Sequence, residues 1–376
     1  MFSINDHLFM AKAIELAKQG HFTTSPNPRV GCVIVQENKV IGQGFHQKAG
    51  TGHAEVNAIA DAKQKGHSID GATAYVTLEP CSHFGRTPPC AKALTDVGVG
   101  KVISAMVDPN PQVSGRGLAM LEAAGITTLS GLLEADAKAL NPGFITLMTR
   151  SVPYVRCKLA TSLDGKTAMA SGESQWITSS EARRDVQRLR AQSCAIITGA
   201  DSVIIDKANM TVRHEELGGL KAKYKQSDVR QPTRVVIDSL QRLTPDLPLF
   251  KSTSPIIIIG TDVENIHQWP HFVEHITVAS TPNGKADLKE VLKVLGQRGL
   301  NDVLIEAGAR LAGAFIQQDL VDELIQYQAP KLMGSDGKSM VAMPSVVKLN
   351  QAKNVNITDV CMVGPDIKIT VKLQKS

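Results

Sequence analysis

Three side chains in the first third of the chain have the types and spacing of a metal site. His53 stands at the start of a helical pattern as His-Ala-Glu, and Cys81 and Cys90 follow a strand-like run that ends in Glu79 and Pro80. One imidazole and two thiolates suit zinc, and three protein ligands leave the fourth position of a tetrahedral ion open for water. An open position belongs to catalytic rather than structural zinc, so one Zn2+ per chain held by His53, Cys81 and Cys90 is expected. Zinc lowers the pKa of a bound water to about 7, which makes hydroxide available at neutral pH. Glu55, two residues beyond His53, is the carboxylate placed to carry a proton from that water to a leaving amine.

Elements must bring these residues together. Residues 5–19 carry an amphipathic helical pattern (Leu8, Ala11, Ile14, Ala17). Strand-like runs at 29–36, 39–45, 73–78 and 101–106 alternate with helical patterns near 53–65, 90–97 and 115–124. The expectation is a layered α/β domain. A Leu-Asn-Pro-Gly break at 140–143 interrupts the alternation, and the pattern restarts with a strand at 153–160. A boundary within 143–151 divides the chain into 1–147 and 148–376, in keeping with about 100–200 residues per domain.

The second part has further strand-like runs at 194–198, 233–238, 255–260, 275–279 and 302–306, with helical patterns at 179–192, 287–298 and 310–319. This order predicts a mostly parallel sheet. Residues 323–329 and 367–373 have no long helical crossover between them, which predicts an antiparallel pair at one edge. No Gly-x-Gly-x-x-Gly occurs, and the glycine-bounded stretch 308–313 lacks the Lys-Ser/Thr pair of a Walker A loop. Strand 302–306 nevertheless runs through Ala307 and Gly308 into a helix, whose first N–H groups could hold a pyrophosphate; a plain tight turn is the other reading.

With 43% hydrophobic and 20% charged residues among 376, the chain has a globular make-up without disordered or fibrous bias. No small-residue cleavage site follows an apolar run near the N-terminus, and the longest strongly apolar run, 255–260, falls far short of the roughly 18 residues a membrane span needs. Neither a signal peptide nor a membrane association is expected. Six cysteines are too sparse for a disulfide scaffold. Cys32, Cys157, Cys194 and Cys361 are expected to pack as small apolar side chains in a reducing, cytoplasmic setting. Residues 1–147 carry 12 basic and 12 acidic side chains and the remainder 29 and 24, so the net charge of +5 sits in the second part and favours anionic ligands there. No basic run interleaved with aromatics occurs, which argues against nucleic acid as a partner.

A His-x-Glu followed by Pro-Cys…Cys is the signature of zinc deaminases, although here the cysteines are nine apart rather than three. The segment 80–90, Pro-Cys-Ser-His-Phe-Gly-Arg-Thr-Pro-Pro-Cys, closely resembles the deaminase half of the bifunctional deaminase/reductases of riboflavin biosynthesis. So do Pro-Asn-Pro-Arg-Val-Gly at 26–31 and His-Ala-Glu at 53–55. The resemblance covers nearly the whole chain. It implies a cytidine-deaminase-like three-layer α/β/α domain, which hydrolyses the C2 amino group from a diaminopyrimidinone carrying ribosylamine 5′-phosphate. Asn27 matches a position that reads the pyrimidine. His46, His83 and Arg86 are candidates for the ribose phosphate, loop polarity or turn capping being the alternative.

Four ordered motifs resemble the reductase half: Lys-Leu-Ala-Thr-Ser-Leu-Asp-Gly at 158–165, Ser-Gly-Glu-Ser-Gln-Trp-Ile-Thr at 171–178, Thr-Val-Arg at 211–213 and Glu-Ala-Gly at 306–308. They imply a dihydrofolate-reductase-like α/β domain that uses NADPH. On this resemblance Ala160, Trp176, Ser202, Asp206, Ser239 and the stretch Gly308, Ala309, Arg310, Leu311, Ala312, Gly313 and Ala314 fall at cofactor-contacting positions. Ser174, Arg190, Met210, Arg213 and Glu306 fall at substrate-contacting ones. The guanidinium groups of Arg190 and Arg213 suit a phosphate. Lys158 and Glu306 are candidates for handling a proton, with a structural salt bridge as the other reading. The family often has Asp-Asp-Pro where Asp206, Lys207 and Ala208 stand, and glycine or proline in place of Ala309.

The reaction implied is hydride delivery from NADPH to the ribose carbon of a ring-opened aminosugar. Phosphorylated pyrimidines are the expected partners, and a homo-oligomer, dimer or tetramer, is the expected assembly. A nucleoside or tRNA deaminase would call for closely spaced cysteines and a basic groove. A binding module with structural zinc would call for a fourth ligand; none of these features is present in the sequence.

Overall fold

The apolar residues of the first part sort onto both sides of a sheet. A computed structural model describes residues 2–82, 88–111, 113–261 and 267–374, and the chain divides into two units, Met1–Ser151 and Val152–Ser376. The first contains α1 (Ile4–Lys18), β1 (Gly31–Gln36), β2 (Lys39–Phe45), α2 (Ala54–Gln64), β3 (Thr73–Val76) and α3 (Cys90–Asp96). It continues through β4 (Lys101–Ser104), α4 (Arg116–Ala123), β5 (Thr127–Ser130), α5 (Glu134–Leu140) and α6 (Pro142–Arg150). The sheet order is β2-β1-β3-β4-β5, with β1 antiparallel to both neighbours and β3, β4 and β5 parallel. In β1, Cys32 and Ile34 join the core under α2, α3 and α4, while Val33 and Val35 join the core under α1 and α5. Three layers result, because a strand with apolar residues on both faces must be covered on both.

Helix α2 packs closely on β2. A Cβ at Gly42 would lie 2.4 Å from the Ala58 carbonyl oxygen, and one at Gly44 would lie 2.5 Å from the Ala58 nitrogen. Only glycine permits this approach.

The second unit holds β6 (Tyr154–Ser162), β7 (Lys166–Ala168), α7 (Ser180–Gln192), β8 (Ala195–Gly199), α8 (Ala200–Ile204), β9 (Thr233–Ile237), β10 (Ile256–Gly260) and β11 (Val273–Thr277). Then come α9 (Leu288–Gln297), β12 (Asp302–Glu306), α10 (Ala309–Gln317), β13 (Glu323–Ala329), β14 (Lys338–Ser339), β15 (Val355–Val363) and β16 (Asp366–Leu373). Nine strands form one sheet in the order β11-β10-β9-β8-β12-β6-β13-β16-β15. It is parallel from β11 to β13, and β13–β16 is the antiparallel pair anticipated from the sequence. The isoleucines of β10 show the period of two: Ile257 and Ile259 lie in the core with α9 and α10, and Ile256 and Ile258 in the core with α7 and α8.

Three expectations need correction. The strand expected at 275–279 lies two residues earlier, at Val273–Thr277. Strands β5 and β15 were not anticipated, since β5 is only four residues long and β15 is exposed along almost its whole length. Cys361 lies on β15 and is exposed rather than packed. A bulge at Thr358 gives β15 its character. Val355, Ile357, Val360 and Met362 pair with Leu373, Val371, Ile369 and Ile367, so the extra residue keeps all four apolar side chains on one face. These four are 46–64% exposed.

Helix α6 runs through position 147, so the expected cut at 147/148 falls inside it, whereas the units divide after Ser151. A chain beginning at Val152 is therefore expected to fold alone, with one cooperative thermal transition, because it carries a complete sheet with both faces covered. A fragment 152–376 that stays unfolded by circular dichroism would show that the second unit depends on the first.

Candidate active site

In the first unit two helix N-termini carry the metal-type ligands. His53 is the N-cap residue of α2 and makes no capping bond with its side chain, and Cys90 is the first residue of α3 after Pro89. The His53 Nδ1 lies 3.2 Å from Cys90 Sγ and 3.7 Å from Cys81 Sγ, and the Cys90 backbone N–H donates to Cys81 Sγ at 3.3 Å. Tetrahedral zinc with ordinary bond lengths separates such donors by about 3.6 Å, so the three atoms fit that ion. Among the described residues they form the single such cluster, all within 4.8 Å of one another.

The electrostatics of Cys81 agree with ligand character. A hydrogen bond from Cys90, aided by His53 on its other side, pushes the Cys81 thiol down to about 4 against the opposing effect of burial. Cys90, bonded to that sulfur and buried, is pushed up. Glu55, in the first turn of α2, is 3% exposed, and burial raises its carboxyl to about 7. A carboxyl near neutrality can both accept and give up a proton.

Asn27 and His46 meet beside this cluster. His46 Nδ1 donates to the Gly52 carbonyl at 3.1 Å, which leaves Nε2 to accept from Asn27 Nδ2 at 3.2 Å. The Asn27 amide is thereby oriented with its oxygen uncommitted to His46. His46, expected at the ribose phosphate, has both ring nitrogens in hydrogen bonds within the protein and is 3% exposed, and burial pushes its pKa down. His83 and Arg86 lie outside the described residues.

In the second unit several of the expected residues lie at or just beyond the carboxyl ends of parallel strands, where α/β sheets bind ligands. Ser202 follows β8 in α8, Ser239 follows β9, and Gly308 follows β12 as the N-cap of α10. Ala160 lies on β6, and Lys158 sits opposite Glu306 in the β6–β12 ladder. The stretch 308–314 is mostly helix rather than loop. Ala312 is buried, and a Cβ on Gly313 would lie 2.3 Å from the Ala342 carbonyl oxygen, so Gly308 and Arg310 are its exposed members. Ser239 Oγ accepts from Ala286 N–H at 3.0 Å. Asp206 is exposed, and Lys207 after it takes a φ of 51°, a conformation that aspartate tolerates better than lysine.

Arg190 is engaged within the protein. Its Nε and Nη2 donate to the two oxygens of Glu306 at 2.6 and 2.9 Å, and its Nη1 to the Thr211 carbonyl at 3.0 Å. Burial alone would raise the Glu306 carboxyl; Arg190 outweighs it and, with Lys158, holds Glu306 below the usual range. Burial lowers the Lys158 ammonium, with Glu306 opposing. Arg213 is half-exposed, and among the described residues its Nε and Nη2 donate to Glu216 at 2.5 and 2.9 Å. Met210 is 2% exposed and packs in the core between α7 and α8 rather than facing outward. Ser174 is half-buried and Trp176 is 63% exposed.

One partner escaped the sequence reading. Arg183 stacks 4.5 Å from the Trp176 ring centroid and donates to Thr178 O at 2.9 Å. Seven residues separate Arg183 from Trp176, a spacing without meaning until the 170–179 segment folds back on α7.

Comparison with known proteins places both halves. Residues 3–106 match the cytidine and deoxycytidylate deaminase zinc-binding region, and residues 153–369 match the RibD C-terminal domain. The chain is 48% identical to the riboflavin biosynthesis protein RibD of Escherichia coli (strain K12) over 97% of its own length and 98% of that protein. Among solved structures, RibD of Acinetobacter baumannii is similar with a TM-score of 0.89 at 42% identity, over 99% of both chains. The Thermotoga maritima diaminohydroxyphosphoribosylaminopyrimidine deaminase/5-amino-6-(5-phosphoribosylamino)uracil reductase is similar with a TM-score of 0.86 at 32% identity, over 98% of this chain and 99% of that one.

The Arg190–Glu306 pair leads to a stability prediction. Arg190→Ala leaves a largely buried carboxylate without its two-pronged partner and is expected to destabilise the second unit by about 3 kcal/mol. Arg190→Lys should recover less than half, because an ammonium cannot make the paired contact. Urea unfolding reads both, and a loss below about 1 kcal/mol for the alanine variant would contradict this role.

Proposed function

The chain belongs to the RibD family of bifunctional deaminase/reductases of riboflavin biosynthesis, and from that premise we propose how its residues divide the work. The first unit is a deaminase with a cytidine-deaminase-like fold, and the second a reductase of the dihydrofolate-reductase-like type. The substrate of the first is 2,5-diamino-6-ribosylamino-4(3H)-pyrimidinone 5′-phosphate, and that of the second is 5-amino-6-(5-phosphoribosylamino)uracil. The observation that carries this reading is the cluster of His53, Cys81 and Cys90 beside the buried Glu55.

Zinc held by those three residues would supply a Lewis acid toward water. Glu55 takes a proton from the attacking water and returns it to the departing amine, so that water and the aminopyrimidinone become the uracil and ammonia. Asn27, oriented by His46, offers its amide oxygen to a ring N–H.

In the second unit NADPH would supply a hydride. The exposed start of α10 at Gly308 suits its pyrophosphate, with Trp176, Ser202 and Ser239 around it. Arg213 exchanges Glu216 for the substrate phosphate, a role for which its exposure fits it. Arg190 keeps Glu306 ionised beside Lys158. Lys158 gives a proton to the ring oxygen as the C1′–O bond breaks, and the hydride that NADPH would supply to C1′ would turn the ribosyl into a ribityl chain. A second copy of the chain covers the apolar face of β15, since a two-fold contact sets like surface against like.

Mass spectrometry of the products formed from the aminopyrimidinone phosphate tests the whole reading. Ammonia and the uracil are expected without NADPH, and the ribityl product only with it; absence of both products would refute it. Glu55→Gln is expected to retain about one zinc per chain while losing at least about 100-fold in deamination, as removal of a general acid/base does. Cys90→Ala is expected to lose the metal, and full retention would remove it from the ligand set. Light scattering tests the assembly: Ile357→Lys should convert the oligomer to monomer, and an unchanged mass would exclude this face.

A further inference from the structure

Glu79 immediately precedes Pro80 and Cys81 and is 3% exposed. Its carboxylate accepts four backbone N–H groups, all from the 108–118 segment. Oε2 takes those of Asp108 and Gly115 at 3.0 and 2.9 Å, and Oε1 takes those of Gly117 and Leu118 at 2.8 and 3.4 Å. Its own N–H donates to Met106 O at 3.0 Å. A buried carboxylate is thus neutralised by the first turn of α4 and the turn before it, where unpaired N–H groups point and the helix dipole is positive. The approach is close. A Cβ on Gly117 would lie 1.9 Å from the Pro80 carbonyl oxygen and 3.1 Å from Glu79 Oε1.

On its other side Cys81 is held by α3, through Cys90 N–H to its sulfur at 3.3 Å and Ala91 N–H to its carbonyl at 3.2 Å. The Glu79 carboxylate is not among the clustered donors, so it contacts the metal position only through the chain. We propose that Glu79 is a positioning residue for the metal, fastening the Cys81 loop to the start of α4 so that the three donors stand ready before the ion arrives. Without that fastening, the ordering of Cys81 falls on the binding step and weakens it. The inference rests on His53, Cys81 and Cys90 being the zinc ligands.

Two variants of the full-length chain test it. Glu79→Gln keeps the shape, but whichever way the amide turns, its NH2 meets two backbone N–H groups. Gly117→Ala leaves Glu79 intact and pushes on the Pro80 peptide instead. Each chain is stripped of metal and titrated with zinc against a chromophoric chelator, then with Co2+, whose d–d and thiolate charge-transfer bands report ligand geometry. Each variant is expected to bind zinc about 10–100-fold more weakly, the usual loss when a support outside the ligand shell is removed. The cobalt bands should be altered, and reductase turnover should stay at the wild-type level.

Wild-type zinc affinity and cobalt bands in a folded variant would overturn the proposal. If Glu79→Gln does not fold, Gly117→Ala decides. Loss of the first unit's fold in both, by circular dichroism with zinc present, also overturns it, since the contact would then serve the core. Failure of the wild-type chain to take up zinc would instead remove the ligand assignment on which the proposal stands.

Discussion

The contact of α2 with β2 fixes the first site. Because Gly42 and Gly44 carry no side chains, the Ala58 backbone comes down onto the strand, and Ala54, Ala58 and Ala62 are fully buried along that seam. Helix direction then has little freedom, and the N-terminus of α2 is delivered opposite that of α3. His53 and Cys90 occupy those two ends, so the imidazole and the thiol meet through helix placement rather than through a flexible loop. Glu55 follows from the same geometry: in the first turn of α2 it is shut off from water, and burial raises its carboxyl into the neutral range.

The second unit meets a related problem with charge. Strand β12 ends in Glu306, opposite Lys158 in the middle of β6, and the sheet cannot leave such groups uncompensated. Arg190, from α7, supplies the compensation with a two-pronged contact, and Thr198 Oγ1 donates to the Glu306 carbonyl at 2.7 Å. The cost is that Arg190 is spent on Glu306. Arg213, by contrast, pairs with Glu216 only three residues away and at the surface, where an ion pair is worth little.

The legible features were those with a local cause. A period of two or 3.6, a glycine or proline break and a histidine-glutamate pair at the start of a helix each depend on a few neighbouring residues. The layered α/β plan, the parallel order with an antiparallel edge, and the grouping of His53, Cys81, Cys90 and Glu55 could therefore be read directly. β15 could not, because its exposed faces carry no burial pattern and its bulge at Thr358 shifts the alternation by one residue. His46 and Arg190 were read as polar groups offered to a ligand, which is what their residue types permit.

What the sequence alone determined, then, was the kind of donor at each position and the elements that carry it, since these follow from side-chain chemistry and short-range periodicity. What only the tertiary structure decided was which of those donors are already taken. Arg190 finds Glu306 116 residues away, Glu79 finds the N–H groups of Gly115 and Gly117 36 and 38 residues away, and His46 finds Asn27 19 residues back. Such pairings answer to the desolvation of buried polar groups. That penalty arises only when packing removes water, and no local pattern records it.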